Sequence, residues 1–169
     1  MGEITRISSG APWEPVYGYA RAVKAGNWVV VSGTSAFDEH GIVGVNQMYV
    51  QTRQAIANIR AALERVGLGL HDVVRTRVFV TDISRFSEIA RAHRESFGDY
   101  PPASTAVEVR RLVHPDMLVE VEADAIADAP ARSSATETPP QALRKRRPAP
   151  RAKARASSKG SRAKRPRGR

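Results

Sequence analysis

The chain has 169 residues and a formal net charge of +10, but residues 131–169 hold 14 of the 27 Lys and Arg against one acid, Glu137, while residues 1–130 carry 13 basic and 16 acidic groups. The first part is long enough for one domain with a core of its own, and the second, built from Ala, Pro, Ser, Arg and Lys, has too little to bury and is expected to be a disordered tail. The absence of cysteine excludes disulfides, thiolate catalysis and Cys-held zinc, and with no apolar signal core and no run near the about 20 apolar residues of a membrane span, a cytoplasmic protein without a membrane segment is expected.

In chain order, Tyr17–Val23 reads as a strand, Ala25-Gly26-Asn27 as a tight turn, and Trp28–Gly33 as a buried strand. From Val50 to Val66 the residues Ile56, Ile59, Leu63 and Val66 recur at helical spacing, and Gly67 follows where a left-handed residue ends a helix. Val74–Val80 is predicted as a strand. Ser84–Phe97 is predicted as a second helix, buried through Phe86, Ile89, His93 and Phe97 and capped by Asp82 or Ser84. Two final strands are expected near Ser104–Arg111 and Leu118–Ala127, where alternation sets Glu108, Glu120, Glu122 and Asp124 on one face. The order β-β-α-β-α-β-β predicts an α+β domain over residues 1–130, with two helices on one face of a mixed sheet. The other face then needs cover, which favours an oligomer.

Six short motifs in this order resemble the RidA/YjgF (Rid) family, whose members include proteins described as endoribonuclease L-PSP-like. They are Gly18-Tyr19, Val31-Ser32-Gly33-Thr34, Gln51-Thr52-Arg53-Gln54-Ala55 with Asn58-Ile59, Asp72–Thr76 with Val78–Asp82, Pro102–Val109, and Val119–Ala123. The resemblance covers residues 1–127 and implies a chorismate-mutase-like fold, a homotrimer, and small-molecule clefts where subunits meet. It also implies enamine or imine deamination, in which an arginine grips a substrate carboxylate and a glutamate-linked water serves hydrolysis. Residue by residue, it assigns Tyr19, Ser32 and Gly33 to the pocket and Glu120 to the catalytic water. Ser104 falls at the arginine's place and Ala90 at that of an asparagine lining the site, so the ligand class is expected to differ.

A bidentate guanidinium is the natural grip for a carboxylate, and Arg21, Arg77, Arg110 and Arg111 lie on or beside predicted strands as substitutes. Arg77 comes first, because a charge inside an apolar strand requires a partner. Its structural alternative is pairing with Glu108, Glu120 or Glu122. The four histidines, at 40, 71, 93 and 114, show no metal-binding spacing, and no nucleotide fingerprint is present, so neither metal nor cofactor is expected. In the tail, Arg144, Lys145, Arg146 and Arg147, then Arg162, Lys164, Arg165 and Arg167, suit salt-sensitive, sequence-blind contact with nucleic acid, with acidic proteins, anionic surfaces or a merely solvated extension as the open alternatives.

Overall fold

The computed structural model of the protein describes residues 3–127. The basic stretch 131–169, with its expected disorder and nucleic-acid contacts, lies outside the described residues.

The elements are β1 (Ile4–Ile7), α1 (Trp13–Tyr17), β2 (Ala22–Ala25), β3 (Trp28–Thr34), β4 (Phe37–Asp38), β5 (Gly41–Ile42), α2 (Met48–Glu64), β6 (Val73–Val80), α3 (Phe86–Phe97), β7 (Ala103–Glu108) and β8 (Val119–Ile126). Six strands form one mixed sheet in the order β1-β2-β3-β8-β6-β7. Every neighbouring pair is antiparallel except β6 and β7, which run parallel with α3 as the crossover. This is the expected α+β fold.

One face of the sheet is packed. Val29 and Val31 of β3, Val73, Val78 and Val80 of β6, and Val119, Val121, Ala123 and Ala125 of β8 are all buried, together with Ile56, Ile59 and Leu63 of α2 and Ile89 and Phe97 of α3. The α2 stripe is the one the helical spacing predicts. Gly67 takes a φ of 78° just past the helix, which only glycine adopts at little cost, and Leu68 returns its N–H to the Leu63 carbonyl at 3.1 Å.

Several sequence expectations are corrected. Tyr17 closes the short helix α1 rather than opening a strand: Gly18, at φ 79°, ends the helix and donates to the Glu14 carbonyl, and β2 starts only at Ala22. Phe86 is half exposed, since the packed stripe of α3 runs from Ile89 through Ala92 to Phe97. Neither Asp82 nor Ser84 caps α3, which starts after Arg85 without a side-chain cap; Asp82 caps the 3-10 turn before it, accepting from the Ser84 N–H at 3.0 Å. Glu108 pairs with Val80, a core-facing position, so it leaves the acidic face and accepts instead from the Ile83 N–H at 2.9 Å. Strand β1 and the β4–β5 hairpin were not predicted; strands of two to four residues are too short to show an alternation.

The other face is open. Glu120, Glu122 and Asp124 do line up on it along β8, with Arg75, Arg77 and Phe79 of β6 on one side and Val30 and Trp28 of β3 on the other. Ile4, Trp28, Val30 and Val107 all leave large apolar area exposed there.

Candidate active site

Strands β3 and β8 fall out of register between Val31 and Thr34. Val31 pairs with Ala123 and Thr34 with Val121, so three steps on β3 match two on β8. Strict alternation would put Val31 and Thr34 on opposite faces, yet both are buried; the extra residue of a β-bulge restores the parity and re-aims what lies between. What lies between is Ser32-Gly33. The Ser32 hydroxyl turns back to donate to the Ala20 carbonyl at 2.8 Å, clamping the start of β2. Gly33 comes so close to β8 that a Cβ there would stand 2.6 Å from Glu120 Oε1. The absent side chain of Gly33 is therefore the space the Glu120 carboxyl occupies.

Arg21 completes this end of the sheet. Its Nη1 donates to the Gly33 carbonyl at 2.7 Å and to Thr34 Oγ1 at 2.9 Å, and its Nη2 donates to the Tyr19 hydroxyl at 2.8 Å. The guanidinium also stands 5.2 Å from the centre of the Tyr19 ring, within cation–π range. Burial raises the pKa of Glu120, the nearby Glu122 charge adds to the rise, and Arg21 pulls the other way. Among the described residues the Glu120 carboxyl makes no hydrogen bond and no ion pair. A half-buried carboxyl of raised pKa, lacking protein partners and next to a fixed cation, is equipped to hold a water or a polar ligand and to exchange a proton with it.

Glu14 of α1 supports the same region. It is 6% exposed and accepts from the Ser8 hydroxyl, from the Ser9 N–H at 2.8 Å and from the Ser9 hydroxyl at 2.6 Å. Burial works to raise its pKa, but these hydrogen bonds, aided by Arg21, outweigh it and hold the carboxyl below its ordinary value. The result is a rigid turn over an open groove of about 850 Å³, whose walls include Arg6, Pro12, Glu14, Gly18, Tyr19 and Val23.

The remaining sequence candidates lie elsewhere. Arg77 is on the open face and pairs with Glu122 and Asp124, each at 3.4 Å. Ser104 is on edge strand β7 opposite Thr76 and accepts from the Thr76 hydroxyl at 2.9 Å; Thr76 also meets His93 Nε2 at 3.0 Å. Thr76 is fully buried against the helices, so Ser104 turns toward the packed face while Glu120 is on the open one. Ser104 and Arg77 border a second groove of about 490 Å³ with Phe79, Thr105 and Val107. Strand β8 separates the two grooves. Ala90 is half-buried on α3, in the helix layer. Within one chain, then, Tyr19, Ser32, Gly33 and Glu120 come together, and Ser104, Arg77 and Ala90 do not join them.

The model of the family described as Endoribonuclease L-PSP matches residues 10–127. The chain belongs to this family. Rv2704 from Mycobacterium tuberculosis, a member of the YjgF/YER057c/UK114 family, has a crystal structure that is 44% identical, covers 74% of this chain and 100% of its own, and superposes with a TM-score of 0.69. The 3-aminoacrylate deaminase RutC of Acinetobacter baylyi is 34% identical over 120 residues, 70% of this chain and 94% of that protein. The 2-iminobutanoate/2-iminopropanoate deaminase of Salmonella typhimurium is 32% identical over 111 residues, 64% and 86% respectively. Membership of the Endoribonuclease L-PSP family and kinship with enamine and imine deaminases thus agree with the motif resemblance.

Sequence reasoning reached Arg21 only as a second choice behind Arg77, and it missed Glu14 and Thr34. A signal was available for Glu14 in Pro12-Trp13-Glu14-Pro15, an acid held between prolines after two serines. Thr34 stands in the Val31-Ser32-Gly33-Thr34 motif but carried no role there, because only the bulge turns it inward.

Proposed function

We propose that this protein binds and hydrolyses a small reactive imine or enamine in clefts between neighbouring subunits of a trimer. The observation that supports it best is Glu120, half-buried beside Gly33, raised in pKa and without a partner among the described residues. In the reaction, Glu120 accepts a proton from a water as its oxygen adds to the C=N carbon. The proton passes to nitrogen to give a carbinolamine; its hydroxyl proton then moves through Glu120 to the amine nitrogen, the C–N bond breaks, and ammonia leaves as the carbonyl forms. An enamine reaches the same path after protonation at carbon gives the imine.

Two features favour clefts between copies. The open face alternates exposed apolar side chains with paired charges, a surface suited to self-association. The grooves containing Tyr19 and Ser104 lie at opposite ends of the sheet, so a closed ring can bring one end of a copy against the other end of its neighbour. With serine at position 104, that neighbour contributes no cation from the place where the family resemblance puts one.

The test is hydrolysis of 2-iminobutanoate and 3-aminoacrylate by the full-length protein and by Glu120→Ala. Turnover that disappears in the variant supports the assignment; equal turnover in both refutes it. A second reading rests on the clustered Arg and Lys of residues 131–169: nucleic acid bound by the tail on an oligomeric platform. Deleting 131–169 should then remove salt-sensitive nucleic-acid binding, and retention of that affinity by the shortened chain excludes it.

A further inference from the structure

Arg21 is half-buried, yet all three acceptors around it are neutral: the Gly33 carbonyl, the Thr34 hydroxyl and the Tyr19 hydroxyl. Arg53, Arg77 and Arg85 each have a carboxylate within ion-pair distance, whereas among the described residues Arg21 has none. A buried charge is costly unless it is paired. Here three hydrogen bonds fix the guanidinium plane without neutralising it. Of its five N–H groups, both on Nη1 and one on Nη2 are engaged, leaving the Nε–H and the second Nη2–H to donate. The Tyr19 hydroxyl accepts from Arg21, so its own proton is also free to be donated. Beside them is Glu120, close enough to feel the Arg21 charge but not in contact with it.

We propose that Arg21 is the cation that receives the carboxylate of the ligand, taking the place of an arginine at position 104. This rests on the reading that the chain acts on small imines or enamines. It follows from the chemistry of the names borne by the two deaminase relatives, 3-aminoacrylate and 2-iminobutanoate, since each molecule carries a carboxylate one or two carbons from nitrogen. A carboxylate on the free N–H groups of Arg21, with the Tyr19 hydroxyl as a third donor, sets the adjoining carbon toward Glu120. Arg77 is not equipped for this, because Glu122 and Asp124 already engage its two terminal nitrogens. The assignment makes Arg21 a specificity-determining residue: it selects anionic ligands over neutral ones of the same shape.

The experiment measures binding of 2-oxobutanoate, the product that hydrolysis of 2-iminobutanoate leaves, and of its neutral isostere 2-oxobutanamide, by calorimetry on the full-length protein. The wild type should prefer the acid, and Arg21→Gln should weaken acid binding by about thirtyfold or more while leaving the amide nearly unaffected. No preference in the wild type, or a preference kept by Arg21→Gln and lost in Arg77→Gln, overturns the proposal. Should Arg21→Gln not fold, the Arg21 Nε–H resonance of the wild type decides: it should move with the acid and not with the amide, and a resonance unmoved by saturating acid overturns the proposal. Failure of the underlying reading looks different. A wild type that binds the acid through Arg21 but leaves 2-iminobutanoate at its uncatalysed rate of hydrolysis keeps the anchor and removes the deaminase.

Discussion

Replacing Gly33 with alanine moves Glu120 without touching it chemically. The added Cβ would meet Oε1 at 2.6 Å, Cδ at 2.8 Å and Cγ at 3.3 Å, whereas ordinary contact begins at 3.4 Å, so the carboxyl oxygen must retreat by about 0.8 Å. The atoms in the way are the free end of a flexible side chain, and the backbone at Gly33 is not in the left-handed region, so the fold can accept the change. Stability should hold or rise by about 0.4–1 kcal/mol, through lower entropy of the unfolded chain. Catalysis should not hold: misplacing a reacting group by about 1 Å costs on the order of 10²-fold in rate, equivalent to about 2.7 kcal/mol of barrier. The assay is kcat for 2-iminobutanoate hydrolysis with a thermal melt of the same samples. In a Glu120→Gln background the alanine should cost nothing further, because the group it displaces has already lost its role. An alanine variant with the wild-type melt and the wild-type kcat would refute the reasoning, since it would show that the position of the Glu120 carboxyl does not matter.

Because the folded pKa of Glu120 is raised, chiefly by burial, the folded state holds its proton more tightly than the unfolded chain. Its contribution to stability is therefore greatest at low pH and is lost as pH rises from the ordinary carboxylate range through the raised value. Glu120→Gln should flatten that part of the stability profile in melts taken across pH, and an unchanged slope would contradict the assigned burial. Thr76→Val removes the only hydroxyl among the described residues that meets His93 Nε2 and should cost about 1–3 kcal/mol in chemical denaturation; a loss within error would mean that water replaces it. Val30→Glu sets a second acid across from Asp124, which is 7% exposed, and should reduce the proposed trimer to monomers in light scattering. An unchanged assembly mass would place the contact on another surface.

The fold was legible where burial imposes a period on the sequence. Ile56, Ile59 and Leu63 in α2 and the alternation Val119-Glu120-Val121-Glu122-Ala123 in β8 each follow from one face being dry. The reading failed where no period can form. Tyr17–Val23 looks like an alternating strand, but the turn at Gly18 and the grip of Ser8 and Ser9 on Glu14 hold its first residues in a helix. Glu108 alternates in phase with its neighbours, but strand β7 pairs so that it shares a face with Val80 and not with Glu120.

The site was legible as a set of residue types and not as a geometry. Tyr19, Gly33 and Glu120 are 101 positions apart from first to last, and what joins them is an antiparallel pairing of β3 with β8 plus one bulge, neither of which leaves a mark in either strand alone. The same limit explains the ranking of the arginines. Arg77 lies in a predicted strand whose ends are apolar, Val74 and Val78-Phe79-Val80, which argued for a special role, but antiparallel pairing sets Glu122 directly across from it and satisfies it. Arg21 follows an alanine in the segment read as a first strand and looks ordinary, yet the bulge turns Gly33 and Thr34 toward it and, among the described residues, gives its guanidinium neutral acceptors only. A charge is read correctly from what lies across the sheet, and that is decided by register. The arginine with acids opposite is spent on structure, and the arginine held by neutral groups keeps its charge available for a ligand.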